Sequence, residues 1–306
     1  MSVSAKYFRP EVLSRISRLE LRARHVVEGF VSGMHRSPYK GFSVEFANHR
    51  SYVPGDDIRH IDWRVYAKAD SFFVKEYEEE TNMRVHLLLD RSGSMAYPEH
   101  TGTGRMTKWD YAATVAASLA HLLVYQQDGV GLTLFDSDVA TQLPVSTNRA
   151  SLADFSRAIE TNQPANRTDV RTLFANVTNR IPRRGMVVLI SDLLTDVEEI
   201  VRGLQRLRFG RHDVLVLHVL DHDELEFHFA DRTLFEGMEE VDQQVLTDPQ
   251  SLRSSYLAAL NTFLGRIRRA CLDHGIDYAL LSTADSMDVA LTSFLASRMR
   301  RRKAKA

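Results

Sequence analysis

The N-terminal segment carries an apolar stripe of helical period, with arginines on the opposite face. The stripe consists of Leu13, Ile16, Leu19, Ala23, Val26, Val27 and Phe30. This spacing predicts an amphipathic N-terminal helix, and Pro10 is suited to its first turn. A region punctuated by Gly and Pro follows, with β-prone pieces at Phe42–Phe46 and Phe72–Glu76.

From residue 85 onward, short apolar runs alternate with patterns of helical period. The runs predict strands at Val85–Leu89, Val130–Phe135, Val139–Leu143, Met186–Ile190, Val214–Leu220 and Tyr278–Leu281. The periodic stretches predict helices at Thr107–Gln127, Leu152–Glu160, Val170–Arg180, Asp196–Leu207, Leu252–Leu272 and Met287–Met299. Such alternation is typical of an α/β fold, here a doubly wound, mostly parallel sheet covered by helices on both faces. In these sheets, ligands bind beyond the carboxyl ends of the strands.

The pattern divides the chain into two parts. Residues 1–83 contain the N-terminal helix and a β-rich extension, and residues 84–306 form the α/β domain. An acidic insertion at about 221–248 interrupts the alternation, and Leu225–Phe229 and Thr233–Phe235 are predicted to form a small hairpin in it.

Composition restricts the class of protein. Asp and Glu number 40 and Lys and Arg 39, so the net charge of -1 gives no reason to expect nucleic-acid binding. Cys271 is the only cysteine, which excludes an intrachain disulfide and favours a reducing compartment. The start lacks the apolar core of a signal peptide, and no apolar run approaches the roughly 20 residues of a transmembrane helix. We therefore expect a soluble, cytoplasmic protein. The basic tail Arg298–Lys305 is either a solvated helix end or a peripheral contact with a membrane or an acidic partner.

Oxygen-bearing side chains follow the first predicted strand of the α/β domain. Asp90, Ser92 and Ser94 stand two residues apart in a tight turn, and they offer a carboxylate and two hydroxyls to a hard cation. Thr168 lies in a polar loop before a predicted helix, and Asp192 directly follows the strand Met186–Ile190. Each residue alone also suits a helix cap or a turn. Together, in this strand order, they predict one shared metal site at the sheet crevice.

This constellation resembles the metal-ion-dependent adhesion site of von Willebrand factor A domains. The resemblance implies a Rossmann-type fold and Mg²⁺ (or Mn²⁺) held by the hydroxyls of Ser92, Ser94 and Thr168. Asp90 and Asp192 would act directly or through water. It also implies that a protein partner supplies a carboxylate to an exchangeable position on the metal.

A second motif precedes the domain, in the segment RSYVPGDDIRHIDW. Pro54-Gly55 predicts a turn, and the charged residues are suited to ion pairs that lock the segment in place. The segment resembles the signature of the domain of unknown function 58 family, through Arg50, Tyr52, Pro54, Gly55, Asp56, Asp57, Arg59, Asp62 and Trp63. The resemblance implies that the chain binds a MoxR-type AAA+ ATPase, or a client of that ATPase, and acts in protein assembly or metal insertion. The signature residues are either structural or partner-binding.

The residues favour an interaction module over an enzyme. A phosphotransferase with Asp90 as nucleophile would carry a second carboxylate where Ser92 stands. Neither Ser92 nor Ser94 lies in the Gly-x-Ser-x-Gly context of a hydrolase, and the chain has no phosphate-binding loop for ATP. The alternatives that stay open are a metal-independent scaffold and, less favoured, a magnesium-dependent phosphotransferase or hydrolase that uses Asp90.

Overall fold

The part of the chain that this computed structural model describes alternates between strands and helices. It covers residues 9–13, 16, 18–36, 49–52, 66, 72–75, 83–98, 105–165, 181, 184–229, 233–238 and 244–303. The strands are β1 (His49–Ser51), β2 (Phe73–Lys75), β3 (Arg84–Asp90), β4 (Gly129–Phe135), β5 (Val139–Ser146), β6 (Met186–Ser191), β7 (Asp213–Leu220), β8 (Thr233–Glu236), β9 (Gln244–Thr247) and β10 (Asp277–Ser282). The α-helices are α1 (Pro10–Leu13), α2 (Leu19–Arg36), α3 (Lys108–Tyr125), α4 (Ser151–Thr161), α5 (Val197–Phe209), α6 (His222–Glu226), α7 (Pro249–Asp273) and α8 (Asp288–Lys303).

A six-stranded sheet in the order β10-β7-β6-β3-β4-β5 forms the centre of the α/β domain. Its strands pair in parallel, except that β5 runs antiparallel to β4 at one edge. The side chains of β4 and β6 are buried along their whole length, as expected for strands covered on both faces. The predicted doubly wound, mostly parallel α/β fold is confirmed.

Helix α3 is the central helix of this fold, and most of its side chains are buried. It begins where the Thr107 hydroxyl accepts a hydrogen bond from the Asp110 amide at 2.9 Å. This cap satisfies a backbone donor that the first helical turn leaves without an intrahelical partner. The position matters for the site, because the cap fixes where the next residue, Lys108, enters the helix.

The N-terminal helix belongs to the same unit as the α/β domain. The chain forms two compact units, one of Met1–Ser32 with Met83–Ala306 and the other of Gly33–Asn82. In the first unit the Leu19 amide donates to Glu160 Oε1 at 2.9 Å, and Arg22 lies 3.6 Å from Asp110. The predicted boundary at residue 83, in contrast, assigns this helix to the same part of the chain as the β-rich extension. The predicted single helix is also divided, into α1 and α2.

The acidic insertion contains a hairpin, but not between the strands predicted. Leu225–Phe229 was expected to be a strand, whereas residues 222–226 form helix α6. Asp221 and Glu224 form a capping box there. The Asp221 side chain accepts a hydrogen bond from a backbone amide of the first turn, and the Glu224 side chain accepts one from the Asp221 amide. Strand β8 pairs with β9 instead, with Leu234 opposite Leu246 and Phe235 opposite Val245.

The second unit contains the antiparallel pair β1–β2, with Arg50 opposite Val74. Beside the pair, the Tyr52 amide donates to the Phe72 carbonyl at 2.9 Å. The predicted strand at Phe72–Glu76 is therefore present as β2. The predicted elements Phe42–Phe46 and Val170–Arg180 lie outside the described residues. Over the described residues, no helix is both long enough and apolar enough to cross a membrane.

Candidate functional site

The side chain of Asp90 lies at the carboxyl edge of the sheet, where β3 and β6 end side by side. Its carboxylate is completely buried. Oδ1 accepts a hydrogen bond from the Ser92 amide at 2.9 Å, and Oδ2 accepts one from the Ser191 hydroxyl. The parallel pairing of the two strands brings Ser191 to this position, because Leu89 is in register with Ile190.

The two serine hydroxyls of the loop after β3 lie next to each other. A short 3-10 helix at Gly93–Ala96 turns the chain, and the Oγ atoms of Ser92 and Ser94 are 3.1 Å apart. Cis oxygen ligands around Mg²⁺ are separated by about 3 Å, given metal–oxygen distances of about 2.1 Å. Both serines are buried. The donor set of Asp90, Ser92 and Ser94 therefore fits a small divalent cation.

Asp192 is held in place from three directions. Its carboxylate is 1% exposed, and Oδ2 accepts a hydrogen bond from Lys108 Nζ at 2.8 Å. Its backbone carbonyl accepts a hydrogen bond from His218 Nε2 at 2.8 Å. The next residue, Leu193, is buried in the left-handed region at φ 53°, a costly conformation for a branched side chain. These restraints fix the turn that follows β6.

His218 is a structural histidine, because its other ring nitrogen is also used internally. Nδ1 contacts the Tyr278 hydroxyl at 2.9 Å. Burial lowers the pKa of His218 to about 4, so the ring is neutral near pH 7. Nε2 thus positions the Asp192 backbone and Nδ1 is used by Tyr278, so both ring nitrogens are engaged within the protein.

Lys108 is a residue of the site that the sequence analysis does not predict. Its side chain is fully buried, and Nζ donates to both Asp192 Oδ2 and Glu224 Oε1, the latter at 2.7 Å. Burial alone would lower the pKa of Lys108, but the Asp192 and Glu224 carboxylates hold it above its usual range. A signal was present in the sequence. A lysine in the first turn of an apolar helix opposes the helix dipole and needs a reason to be there.

The two aspartates of the site differ in how their charge is compensated. Burial and the nearby Asp192 carboxylate raise the pKa of Asp90 well above its usual range. Burial acts on Asp192 in the same direction, but its ion pair with Lys108 more than offsets that effect and lowers its pKa. The negative charge of Asp192 is therefore balanced by the positive charge of Lys108. The negative charge of Asp90 lacks a comparable cation among the described residues.

Residues 162–165, which precede Thr168 in the chain, are held beside the site. The Ala165 amide donates to the Arg91 carbonyl at 2.9 Å, and the Arg91 guanidinium contacts Asn162 Oδ1 at 3.0 Å. Arg91 also pairs with Asp136 at 3.1 Å. Thr168 itself lies outside the described residues.

Four of the five predicted metal ligands are described, and the structure brings Asp90, Ser92, Ser94 and Asp192 together. Of the family-signature residues, Arg50 lies in β1 and Tyr52 directly after it, in the second unit. The remaining seven lie outside the described residues: Pro54, Gly55, Asp56, Asp57, Arg59, Asp62 and Trp63.

Comparison with known proteins identifies the family. Residues 48–262 match the family described as protein of unknown function DUF58. The chain belongs to the DUF58 family. The family expected from the upstream signature is thereby confirmed. This DUF58 protein is 28% identical to the uncharacterized Mycobacterium tuberculosis protein Rv1480 over 295 residues, which covers 95% of this chain and 91% of the relative. It is also 31% identical to the uncharacterized Bacillus subtilis protein YeaD over 114 residues, which covers 37% and 25% of the two chains.

Solved structures similar to this DUF58 protein include BatB from Bacteroides thetaiotaomicron, with 18% identity and a TM-score of 0.44. That match covers 73% of this chain and 100% of BatB. The von Willebrand factor A (VWA) domain of SpRpn10 is also similar, with 10% identity and a TM-score of 0.38, covering 68% of this chain and 93% of that domain.

Proposed function

We propose that this DUF58 protein is a non-enzymatic interaction module whose binding of a protein partner depends on a divalent cation. Asp90, Ser92 and Ser94, joined by Asp192 and Thr168, would hold Mg²⁺ or Mn²⁺. The bound cation supplies an electrophilic position for a carboxylate of the partner. The observation that carries the proposal is the buried pair of hydroxyls, 3.1 Å apart, beside a carboxylate for which the described residues supply no compensating cation.

The geometry of the site supports binding over catalysis. The Ser92 and Ser94 hydroxyls are hydrogen-bonded to each other, and the Asp90 oxygens accept from Ser92 and Ser191. Lys108 is held as a cation by two carboxylates and is therefore unavailable as a general base. These groups position one another, which suits a preformed docking site.

We further propose that the partner is a MoxR-type AAA+ ATPase or its client, and that binding takes place in the cytoplasm. The support is membership of the DUF58 family, together with the resemblance of the site to a metal-dependent adhesion site. A purified MoxR-type ATPase of the same organism should bind the wild-type protein in Mg²⁺ and be released by chelator.

Calorimetric titration of chelator-treated protein with Mg²⁺ and Mn²⁺ tests the cation site directly. We expect one saturable site in the wild type and at least roughly tenfold weaker binding in Asp90→Asn. Asp154→Asn, on the exposed face of α4, is the matched control and should bind like the wild type. Circular dichroism verifies that each variant is folded. Equal binding by Asp90→Asn, or no saturable binding by the wild type, contradicts the proposal.

A further inference from the structure

A cavity of about 630 Å³ opens beside the candidate metal centre. Ser94 and Lys108 line it at the end that adjoins the centre. Binding sites for small molecules and side chains typically occupy roughly 300–1,000 Å³. The cavity is therefore large enough to take a side chain of a partner next to the position proposed for the partner's carboxylate.

Aromatic rings form one wall of this cavity: Phe227, Phe229, Phe235 and Tyr256. Phe227 stacks on Tyr256, with ring centroids 4.3 Å apart, and on Phe235 at 5.8 Å. Phe229 stands edge-on to Phe227 and Phe235, at 5.1 and 5.2 Å. Phe227 is held in the left-handed region at φ 50°, where it ends helix α6. The rings support one another, so the wall exists before any ligand binds.

Carboxylates line the cavity alongside the rings. The lining carboxylates are those of Asp223, Glu224 and Glu236. Among the described residues, Lys108 is the only cation in the lining. Lys108 is shared between Glu224 and Asp192, and Arg105 is shared between Asp223 and Asp221. Four carboxylates thus share two cations, and Glu236 adds a fifth carboxylate to this corner of the protein.

Glu236 contributes the accessible part of this negative charge. Its side chain is exposed, and Oε1 accepts a hydrogen bond at 2.9 Å from the neutral amide of Gln244. The surplus charge also affects Tyr97, another lining residue: burial raises its pKa, and Asp223, Asp221 and Glu224 raise it further.

We propose that the cavity binds an arginine side chain of the partner protein. This inference rests on the proposed interaction function and adds the chemistry of the partner. A guanidinium stacks on aromatic rings and pairs with carboxylates, and it loses less hydration than an ammonium when buried. Arg105 shows the carboxylate pairing within the chain, because its guanidinium bridges Asp221 and Asp223. Glu236 and the ring of Phe229 are the groups that a guanidinium would meet.

Ligand-observed NMR titration of the full chain with acetyl-Gly-Arg-Gly-amide tests the inference. The citrulline tripeptide is the neutral isostere, and the norleucine tripeptide is the apolar control. We expect saturable binding of the arginine tripeptide, with a Kd on the order of 1 mM, and at least roughly fivefold weaker binding of the other two.

Variants of the cavity wall locate the binding. Glu236→Gln and Phe229→Leu should each weaken the arginine tripeptide by roughly fivefold. Leu246→Ala is the matched control, because this residue is 59% exposed and is not among the residues that line the cavity. It should leave binding unchanged.

Three outcomes would overturn the inference: no saturable binding of the arginine tripeptide, equal binding of citrulline, or equal binding of norleucine. The last would make the cavity an apolar anchor site. Titration in chelator and in Asp90→Asn separates this inference from the proposed function, because a monovalent side chain in the cavity needs no metal. Arginine binding without any cation binding would leave the inference intact and contradict the metal-dependent function. Cation binding without arginine binding would do the reverse.

Discussion

The buried ion pair between Lys108 and Asp192 makes the sharpest prediction about this fold. The Lys108 side chain is 0% exposed and that of Asp192 is 1% exposed, so solvent screens neither charge. In Lys108→Met, a side chain of similar length removes the cation but leaves most of the packing. Asp192 then remains buried without its cation, and Glu224 loses the same partner.

The expected loss of unfolding free energy in Lys108→Met follows from this burial. Removing one partner of a buried ion pair typically costs about 3–5 kcal/mol, because the remaining charge is left uncompensated. Domains are stable by only about 5–15 kcal/mol in total, so Lys108→Met should lose a large fraction of the free energy of unfolding. The double variant Lys108→Met/Asp192→Asn removes the stranded charge. It should be more stable than the sum of the single losses implies, by at least about 1 kcal/mol.

Urea unfolding, followed by circular dichroism without divalent cations, measures these differences. Arg266→Met is the matched control, because the Arg266–Glu198 pair is 55% and 68% exposed. Such surface pairs contribute about 0–1 kcal/mol. A loss below about 1 kcal/mol in Lys108→Met, or strict additivity in the double variant, would refute the assignment of Lys108 as the compensating cation of the site.

Other predictions concern parts of the fold away from the site. Burial lowers the pKa of His86 to about 4, so in acid the unfolded chain binds more protons. The free energy of unfolding should therefore fall between about pH 6.5 and pH 4, by at most about 3 kcal/mol, and the fall should be smaller in His86→Gln when urea midpoints are compared across pH. Burial raises the pKa of the Cys271 thiol to about 12, so Ellman's reagent should react at pH 8 only after urea unfolds the protein. Gly185→Ala should destabilise by about 1–3 kcal/mol, because a Cβ there would meet the Arg84 carbonyl oxygen at 2.6 Å. Gly265→Ala, on helix α7 with nothing within 4 Å, should stabilise by about 0.5–1 kcal/mol in the same urea assay.

The strands and the centre of the site were predictable because both depend on local patterns. Continuous apolar runs marked β3 and β6, and polar residues directly after them had to meet at one edge of a parallel sheet. Asp90 and Asp192 therefore follow from strand order alone. The fit of Ser92 and Ser94 depends on the 3-10 turn, which the Asp-x-Ser-Gly-Ser pattern indicates through its glycine.

The remaining parts depend on contacts between distant segments. Lys108 meets Asp192 and Glu224 across 84 and 116 positions of sequence, and no local pattern specifies those pairs. The alternating apolar residues of Leu225–Phe229 predict a strand, but the capping box of Asp221 and Glu224 stabilises a helix instead. The alternating phenylalanines then face the cavity from the end of that helix and the loop behind it rather than from a sheet.

Taken together, the proposed cation site and the proposed arginine site imply one orientation of the partner. Lys108 neutralises one of the two site aspartates, so a divalent cation bound beside Asp90 would leave the centre with a net positive charge. That charge favours a carboxylate as the next ligand. The net charge around the adjoining cavity is negative. Glu236 and the carboxylates that pair with Lys108 and Arg105 outnumber the cations there. A partner that presents a carboxylate and an arginine side by side matches both sites in one register only. Opposite potentials at neighbouring sites disfavour the reversed register, which is how electrostatic complementarity supplies specificity in addition to affinity.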